Sequence, residues 1–203
     1  MKPIVLGLTG PTGAGKTLAA GYLKDVFFHI DCDRIARETV QPGTVGLVRL
    51  REAFGAGILR PDGSLDRKAL AALAFARRES TALLNSLVHP LITERVKSLL
   101  AECKAAKKPA LLDAPLLFES GAGSLCDFTA AVLAGKETRI LRIMARDKID
   151  RAQALLRTQA QQNDEYYRSR ADFIIYNDEN PSRLEAQLDA ITNTLIQSRR
   201  GGF

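Results

Sequence analysis

Two hydrophobic rhythms alternate along this chain. Short unbroken apolar runs recur at wide intervals: "IVLGLT" (Ile4 to Thr9), "VFFHI" (Val26 to Ile30), "PALLDAPLLF" (from Pro109), "FTAAVLA" (Phe128 to Ala134) and "DFIIYN" (Asp172 to Asn177). Such runs, bounded by Gly, Pro, Asn or Asp, predict strands, the first of them buried on both faces. Between them the apolar residues fall three and four apart. "KTLAAGYLKD" sets Leu18, Tyr22 and Leu23 at helical spacing, and "RIARETV" predicts a turn or two closed by Pro42 and Gly43. From Thr44 to about Lys108 the pattern is helical. "VGLVRLREAF" and "RKALAALAFA" are amphipathic, separated by the turn-rich "GAGILRPDGSLD", with Asp66 placed as an N-cap. "STALLNSLVHPLITERVKSLLAECKAAKK" predicts two further helices, Pro90 opening the second as a first-turn proline. A highly charged helical stretch runs from Glu137 to Arg170. A last helix follows Pro181 to about Gln197, ahead of a loose "RRGGF" tail. Strands alternating with helices predict an α/β fold with a parallel sheet, and the block after Thr44 reads as a helical insertion.

Composition narrows the picture. A chain of 203 residues, 46% hydrophobic and 26% charged, suits one compact soluble domain with room for an insertion or a lid. Its formal charge of +6 fits an anionic partner. No run of five basic residues occurs and aromatic interleaving is slight, so small phosphorylated molecules are favoured over nucleic acid. Cys32, Cys103 and Cys126 are far apart with no C-x-x-C spacing, which speaks for reduced thiols rather than a zinc site or a disulfide framework. The N-terminal segment is too glycine-rich for a signal peptide, and no eighteen-residue apolar segment occurs. The expectation is a soluble, cytoplasmic protein without a membrane partner.

The sharpest chemical signal is "GPTGAGKT", Gly10 to Thr17, a full match to G-x-x-x-x-G-K-[ST]. It follows the first apolar run and opens the first helix. The loop of Pro11, Thr12, Gly13, Ala14 and Gly15 can turn its N–H groups onto phosphate oxygens at a helix N-terminus, where the dipole also favours anions. Lys16 adds a point charge at the β- and γ-phosphates, and the Thr17 hydroxyl can ligate Mg²⁺. The chain is therefore expected to bind ATP with Mg²⁺. A GTPase is disfavoured, because the nearest string to [NT]-K-x-D is "DKID", with the wrong first residue. A small-molecule kinase fits the length best.

A kinase acting on a hydroxyl needs a carboxylate to orient and deprotonate it. In open α/β sheets the active crevice lies at the carboxyl ends of the strands. Asp31 and Asp33 follow the second apolar run. Asp113 follows the start of the third, where an acid supporting the metal belongs. Each has a plainer reading too: Asp31 as the end of the strand, Asp33 as the cap of the "RIARE" helix, Asp113 as a strand-end turn residue.

The ordered set "GLTGPTGAGKT", "IDCDRIARE", "LNSLVHPLI", "LLDAPLLFESG", "LRIMARD" and "RADFIIYND" resembles the dephospho-CoA kinases over nearly the whole chain. That resemblance implies a P-loop kinase: a five-stranded parallel sheet flanked by helices, a helical substrate subdomain and a helical lid. The corresponding bounds are a core of 1–42 and 107–203, a substrate-binding insertion of about 43–106 and a lid of about 146–170. It implies transfer of the γ-phosphoryl group of ATP to the ribose 3′-hydroxyl of dephospho-CoA, the last step of coenzyme A synthesis. Asp33 becomes the candidate base, with Asp31 beside it in the substrate site. Arg142 and Arg146 become catalytic arginines brought towards the ATP phosphates and adenine, and His89 a residue of the substrate pocket. The lid keeps R-x-x-x-Q as Arg157 to Gln161, whereas "KDVFFHI" lacks the glycine usual there. The alternative is another P-loop kinase acting on a nucleoside or nucleotide. A monomer is the expected state.

Overall fold

The computed structural model of the chain describes residues 3–178 and 180–200. In chain order the elements are β1 (Val5–Thr9), α1 (Lys16–Leu23), β2 (Phe28–Asp31), α2 (Cys32–Glu38), α3 (Val45–Phe54), α4 (Arg67–Ala74), α5 (Arg78–Ala105), β3 (Ala110–Asp113), β4 (Phe128–Leu133), α6 (Lys136–Asp147), α7 (Arg151–Gln159), α8 (Asp164–Arg168), β5 (Phe173–Tyr176) and α9 (Pro181–Arg200). They form two compact units, one of residues up to Ile30 and from Leu100 onward, the other Asp31–Leu99.

The first unit is built on a five-stranded sheet in the order β2-β3-β1-β4-β5. β1 pairs in parallel with β3 and β4, and β4 with β5. The expected fold class is therefore found. Leu6 and Leu8 of β1, Leu111, Val132 and Ile175 point to one face, where they pack on Ala19 and Leu23 of α1 and Leu184, Leu188 and Leu195 of α9. Ala131 and Leu133 face the other way and meet Tyr167 of α8. Both faces are covered, which is why these strands read as unbroken apolar runs.

The second unit has its own core: Val40, Leu47, Leu50, Ile58, Leu65, Leu70 and Ala74, with Leu84, Leu87 and Val88 of α5 against them. Its helices start where side chains can accept backbone N–H groups. Thr44 accepts from Leu47, and Asp66 caps α4 as expected, accepting from Lys68 and Ala69 at 2.9 and 3.0 Å. The Ala69 N–H above all holds the Asp66 carboxyl below the usual carboxylate range.

Five local expectations change. The predicted helix break at Pro90 is absent: α5 runs through it without interruption. Proline deletes one i→i−4 bond and crowds the preceding turn, but Leu84, Leu87 and Val88 are held by the core on the N-terminal side of it. The second strand begins at Phe28 rather than Val26, because the Val26 and Phe27 N–H groups still bond back to the Leu23 carbonyl, at 3.1 and 2.9 Å. Phe27 is thereby turned into the core, while Phe28 is exposed. The third strand stops at Asp113, just ahead of Pro115. The charged stretch resolves into α6, α7 and α8, divided by Lys148 in the left-handed conformation and by Asp150 and Asn163 as N-caps. The last helix continues to Arg200. The rest of the expected loose tail, 201–203, lies outside the described residues.

Candidate active site

β1 ends at Thr9, whose hydroxyl donates to the Pro115 carbonyl at 3.1 Å. The loop that follows is moulded against its surroundings. At Gly10 (φ +146°) a Cβ would lie 2.3 Å from the Val132 carbonyl oxygen, so only glycine lets the loop lie on β4. At Gly15 (φ +99°) a Cβ would stand 1.9 Å from the Asn177 amide nitrogen. Gly15→Ala should therefore lower folding stability by about 1–2 kcal/mol from the left-handed backbone alone, with a further loss if Asn177 is displaced. Urea denaturation measures it.

The loop's carbonyls are held from behind. Asn177, buried just past β5, donates Nδ2 to the Ala14 carbonyl at 2.8 Å. Arg139 of α6 donates Nε to the Thr12 carbonyl at 3.0 Å. Arg142 donates to the Gly13 and Ala14 carbonyls, both at 3.4 Å. In a trans peptide each C=O points opposite to the following N–H. Engaging the Thr12 and Ala14 carbonyls thus turns the Gly13 and Gly15 N–H groups to the opposite side. No side chain caps α1, so the first-turn amides add to an anion-binding end.

Lys16 opens α1 and its ammonium is bound to Asp113 Oδ1, at the end of β3. Oδ2 of the same carboxylate lies 3.0 Å from His29 Nε2. The pair is nearly buried, the side chains of Lys16 and Asp113 being 16% and 7% exposed.

α6 lines up Arg139, Arg142 and Arg146 on one face. Arg146 reaches the Thr12 hydroxyl at 3.4 Å and makes a two-pronged ion pair with Asp147, at 2.8 and 3.0 Å. Arg157 of α7 binds the same carboxylate. Arg146 first, then Arg157, holds the Asp147 carboxyl below its ordinary range, and Asp147 in turn pushes the Arg146 guanidinium up. Arg139 is only 6% exposed, and burial pulls its guanidinium down, against the opposing pull of Asp164 at 3.7 Å. Gln161 closes the arrangement by accepting the Thr12 N–H at 2.8 Å and an Arg139 N–H at 3.3 Å.

The structure thus brings together Pro11 to Thr17, Asp113, Arg142 and Arg146. The other sequence candidates belong to the second unit. Asp31 is the last residue of β2 and the N-cap of α2, accepting the Arg34 N–H at 3.0 Å. The capping reading considered for Asp33 therefore falls to Asp31, and Asp33 lies exposed in the first turn. His89 is not at a helix start but exposed in the interior of α5, because the helix continues through Pro90.

Four residues of this site escaped the sequence reading in these roles. Arg139 was detectable as the residue three before Arg142 on the same helix face. Gln161 stood in the R-x-x-x-Q pattern without a role. From the sequence Asn177 reads only as a strand end. His29 was hidden in an apolar run.

The donors fit a magnesium ion of a particular kind. Among the described residues no group of three or more His, Cys, Asp and Glu side chains is arranged to hold a metal. Thr17 presents a hydroxyl in the first turn of α1, and Asp113 a carboxylate at the neighbouring strand end. One hydroxyl and one carboxylate suit Mg²⁺, which keeps several waters and takes much of its shell from phosphates.

A family model described as dephospho-CoA kinase matches residues 4–182. A dephospho-CoA kinase of Corynebacterium efficiens is 40% identical over 193 residues, covering 94% of this chain and 96% of that protein. One of Moorella thermoacetica is 44% identical over 160 residues, covering 77% and 76%. The crystal structure of TT1252 from Thermus thermophilus superposes with a TM-score of 0.83 at 32% identity, covering 96% of this chain and 99% of that one.

Proposed function

The chain belongs to the dephospho-CoA kinase family, and from that premise we propose that it transfers the γ-phosphoryl group of ATP to the ribose 3′-hydroxyl of dephospho-CoA, giving coenzyme A and ADP. The observation that carries this is the phosphate loop: its carbonyls are bound by Arg139, Arg142 and Asn177, and Lys16 stands at its end on Asp113. Family membership disfavours a nucleoside or nucleotide kinase.

The loop amides and Lys16 hold the triphosphate, Lys16 exchanging Asp113 for phosphate oxygens. Thr17 and Asp113 would hold Mg²⁺, which when bound would neutralise charge on the triphosphate. Arg142 and Arg146 meet the charge that spreads over the transferring group. For Arg146 this requires release from Asp147. Asp33 accepts the proton of the attacking hydroxyl, and Asp31 supports it. The helical unit, with His89, receives the pantetheine end of the substrate, and the segment of about 146–170 acts as the lid. No helix among the described residues is long and apolar enough to cross a membrane. A cytoplasmic monomer without nucleic-acid partners completes the reading.

Incubating the chain with ATP, Mg²⁺ and, separately, dephospho-CoA, adenosine, AMP or pantothenate, and measuring ADP release, tests it. Turnover with dephospho-CoA alone is expected. None with dephospho-CoA, or faster turnover with AMP or adenosine, overturns it.

A further inference from the structure

Asp113 is a buried carboxylate whose two oxygens answer to different donors. Oδ1 takes the Lys16 ammonium, and Oδ2 lies 3.0 Å from His29 Nε2. An ionised carboxylate only accepts, so Nε2 carries the proton and donates. His29 sits on β2, the strand beside β3, and its side chain is 31% exposed. It lies behind the carboxylate and is no part of the phosphate loop.

Lys16 has two anionic claimants, Asp113 and the triphosphate. When phosphate oxygens take its ammonium, Asp113 loses its charge partner and one of the two contacts that set its rotamer. A buried carboxylate stripped of its donors is costly and is free to turn. The His29 contact is independent of the loop and survives that exchange.

We propose that His29 is a positioning residue for Asp113, its Nε2–H holding Oδ2 so that Oδ1 stays aimed at the phosphate loop, and at the water shell of magnesium there, while Lys16 engages the triphosphate. The proposal rests on reading this site as a magnesium–ATP site. Partners that orient metal-ligating groups are worth about 10- to 100-fold in metal affinity, and a partner one shell further out belongs at the low end of that range.

Calorimetric titration of the purified chain with ATP, with and without Mg²⁺, reads the effect directly and needs no acceptor substrate. The quantity is the gain in ATP affinity that Mg²⁺ brings. His29→Phe should lose roughly tenfold of that gain, and metal-free ATP binding should weaken as well, because Lys16 then leaves Asp113 with no donor. His29→Gln, which still offers an N–H, should keep most of it. In the kinase assay His29→Phe should need more Mg²⁺ for half-maximal rate at an unchanged KM for dephospho-CoA. Melting curves establish that both variants are folded. An equal Mg²⁺ gain in wild type and His29→Phe overturns the proposal. So does failure of a folded His29→Gln to retain the gain, or a wild-type chain that gains nothing from Mg²⁺. Loss of the gain in a chain that does not phosphorylate dephospho-CoA would retain this role and reject the proposed acceptor.

Discussion

Replacing Asp33 by asparagine is expected to cut kcat with dephospho-CoA by about 10²- to 10⁴-fold, the usual contribution of a positioned general base, while KM for ATP stays near that of wild type. Asparagine has the same shape and still hydrogen-bonds the hydroxyl, but it cannot take the proton. A drop in kcat without a rise in KM for ATP would mark an interaction that matters in the transition state rather than in ATP binding. Asp31 supplies the control. It caps α2 through the Arg34 N–H, and asparagine caps a helix as well as aspartate does. Asp31→Asn should therefore fold normally and, because Asp31 only supports Asp33, lose far less turnover than Asp33→Asn. If steady-state kinetics give the reverse, with Asp31→Asn inactive and Asp33→Asn active, the base is Asp31 and the assignment within this pair fails.

Lys16→Met should lose about 10²- to 10³-fold in kcat, as when one preorganised donor to a developing charge is removed, and should also weaken ATP binding. Methionine keeps much of the stem, so packing at the start of α1 is little changed and the loss is that of the charge. A second consequence follows from the ion pair with Asp113. Breaking a fully buried pair costs about 3–5 kcal/mol. Here the lysine side chain retains 16% exposure and His29 stays on Oδ2, so a smaller loss of stability, about 1–3 kcal/mol, is expected. Adding Asp113→Asn should recover much of that stability, because the uncompensated charge is gone, without restoring activity. Urea denaturation of the single and double variants, alongside ATP titration, separates the two effects. Wild-type ATP affinity in Lys16→Met would sink the role given to this lysine.

How legible the site was depended on how local each contact is. The loop from Gly10 to Thr17 is one continuous segment whose glycines, lysine and threonine act together, so its spacing carried its chemistry. Asp66 was readable as a cap for the same reason, since it bonds to residues two and three ahead. The supports of the loop are another matter. Asn177 reaches Ala14 across 163 positions, Gln161 reaches Thr12 across 149, and His29 reaches Asp113 across 84. Nothing near Asn177 or His29 in the chain marks it as a partner, and the R-x-x-x-Q pattern around Gln161 does not say what it binds. The misplaced break in α5 is the same lesson in reverse. Proline is a reliable local stop signal, but Leu84, Leu87 and Val88 are committed to the core of the second unit, and that burial outweighs one missing backbone bond.

By itself, the sequence determined the strands, the phosphate loop at the end of the first of them, and the pattern shared with the dephospho-CoA kinases. These depend on the side-chain period, backbone permissiveness and residue spacing, all properties of neighbours along the chain. Only the tertiary structure decided that Lys16 rests on Asp113, that His29 holds the other oxygen of that carboxylate, and that a buried Arg139 rather than a surface arginine grips the Thr12 carbonyl. Such pairings follow from the strand order β2-β3-β1-β4-β5. That order puts β3 and β4 on either side of β1, and so brings side chains far apart in the chain around one loop, where burial makes each hydrogen bond costly to leave unmade.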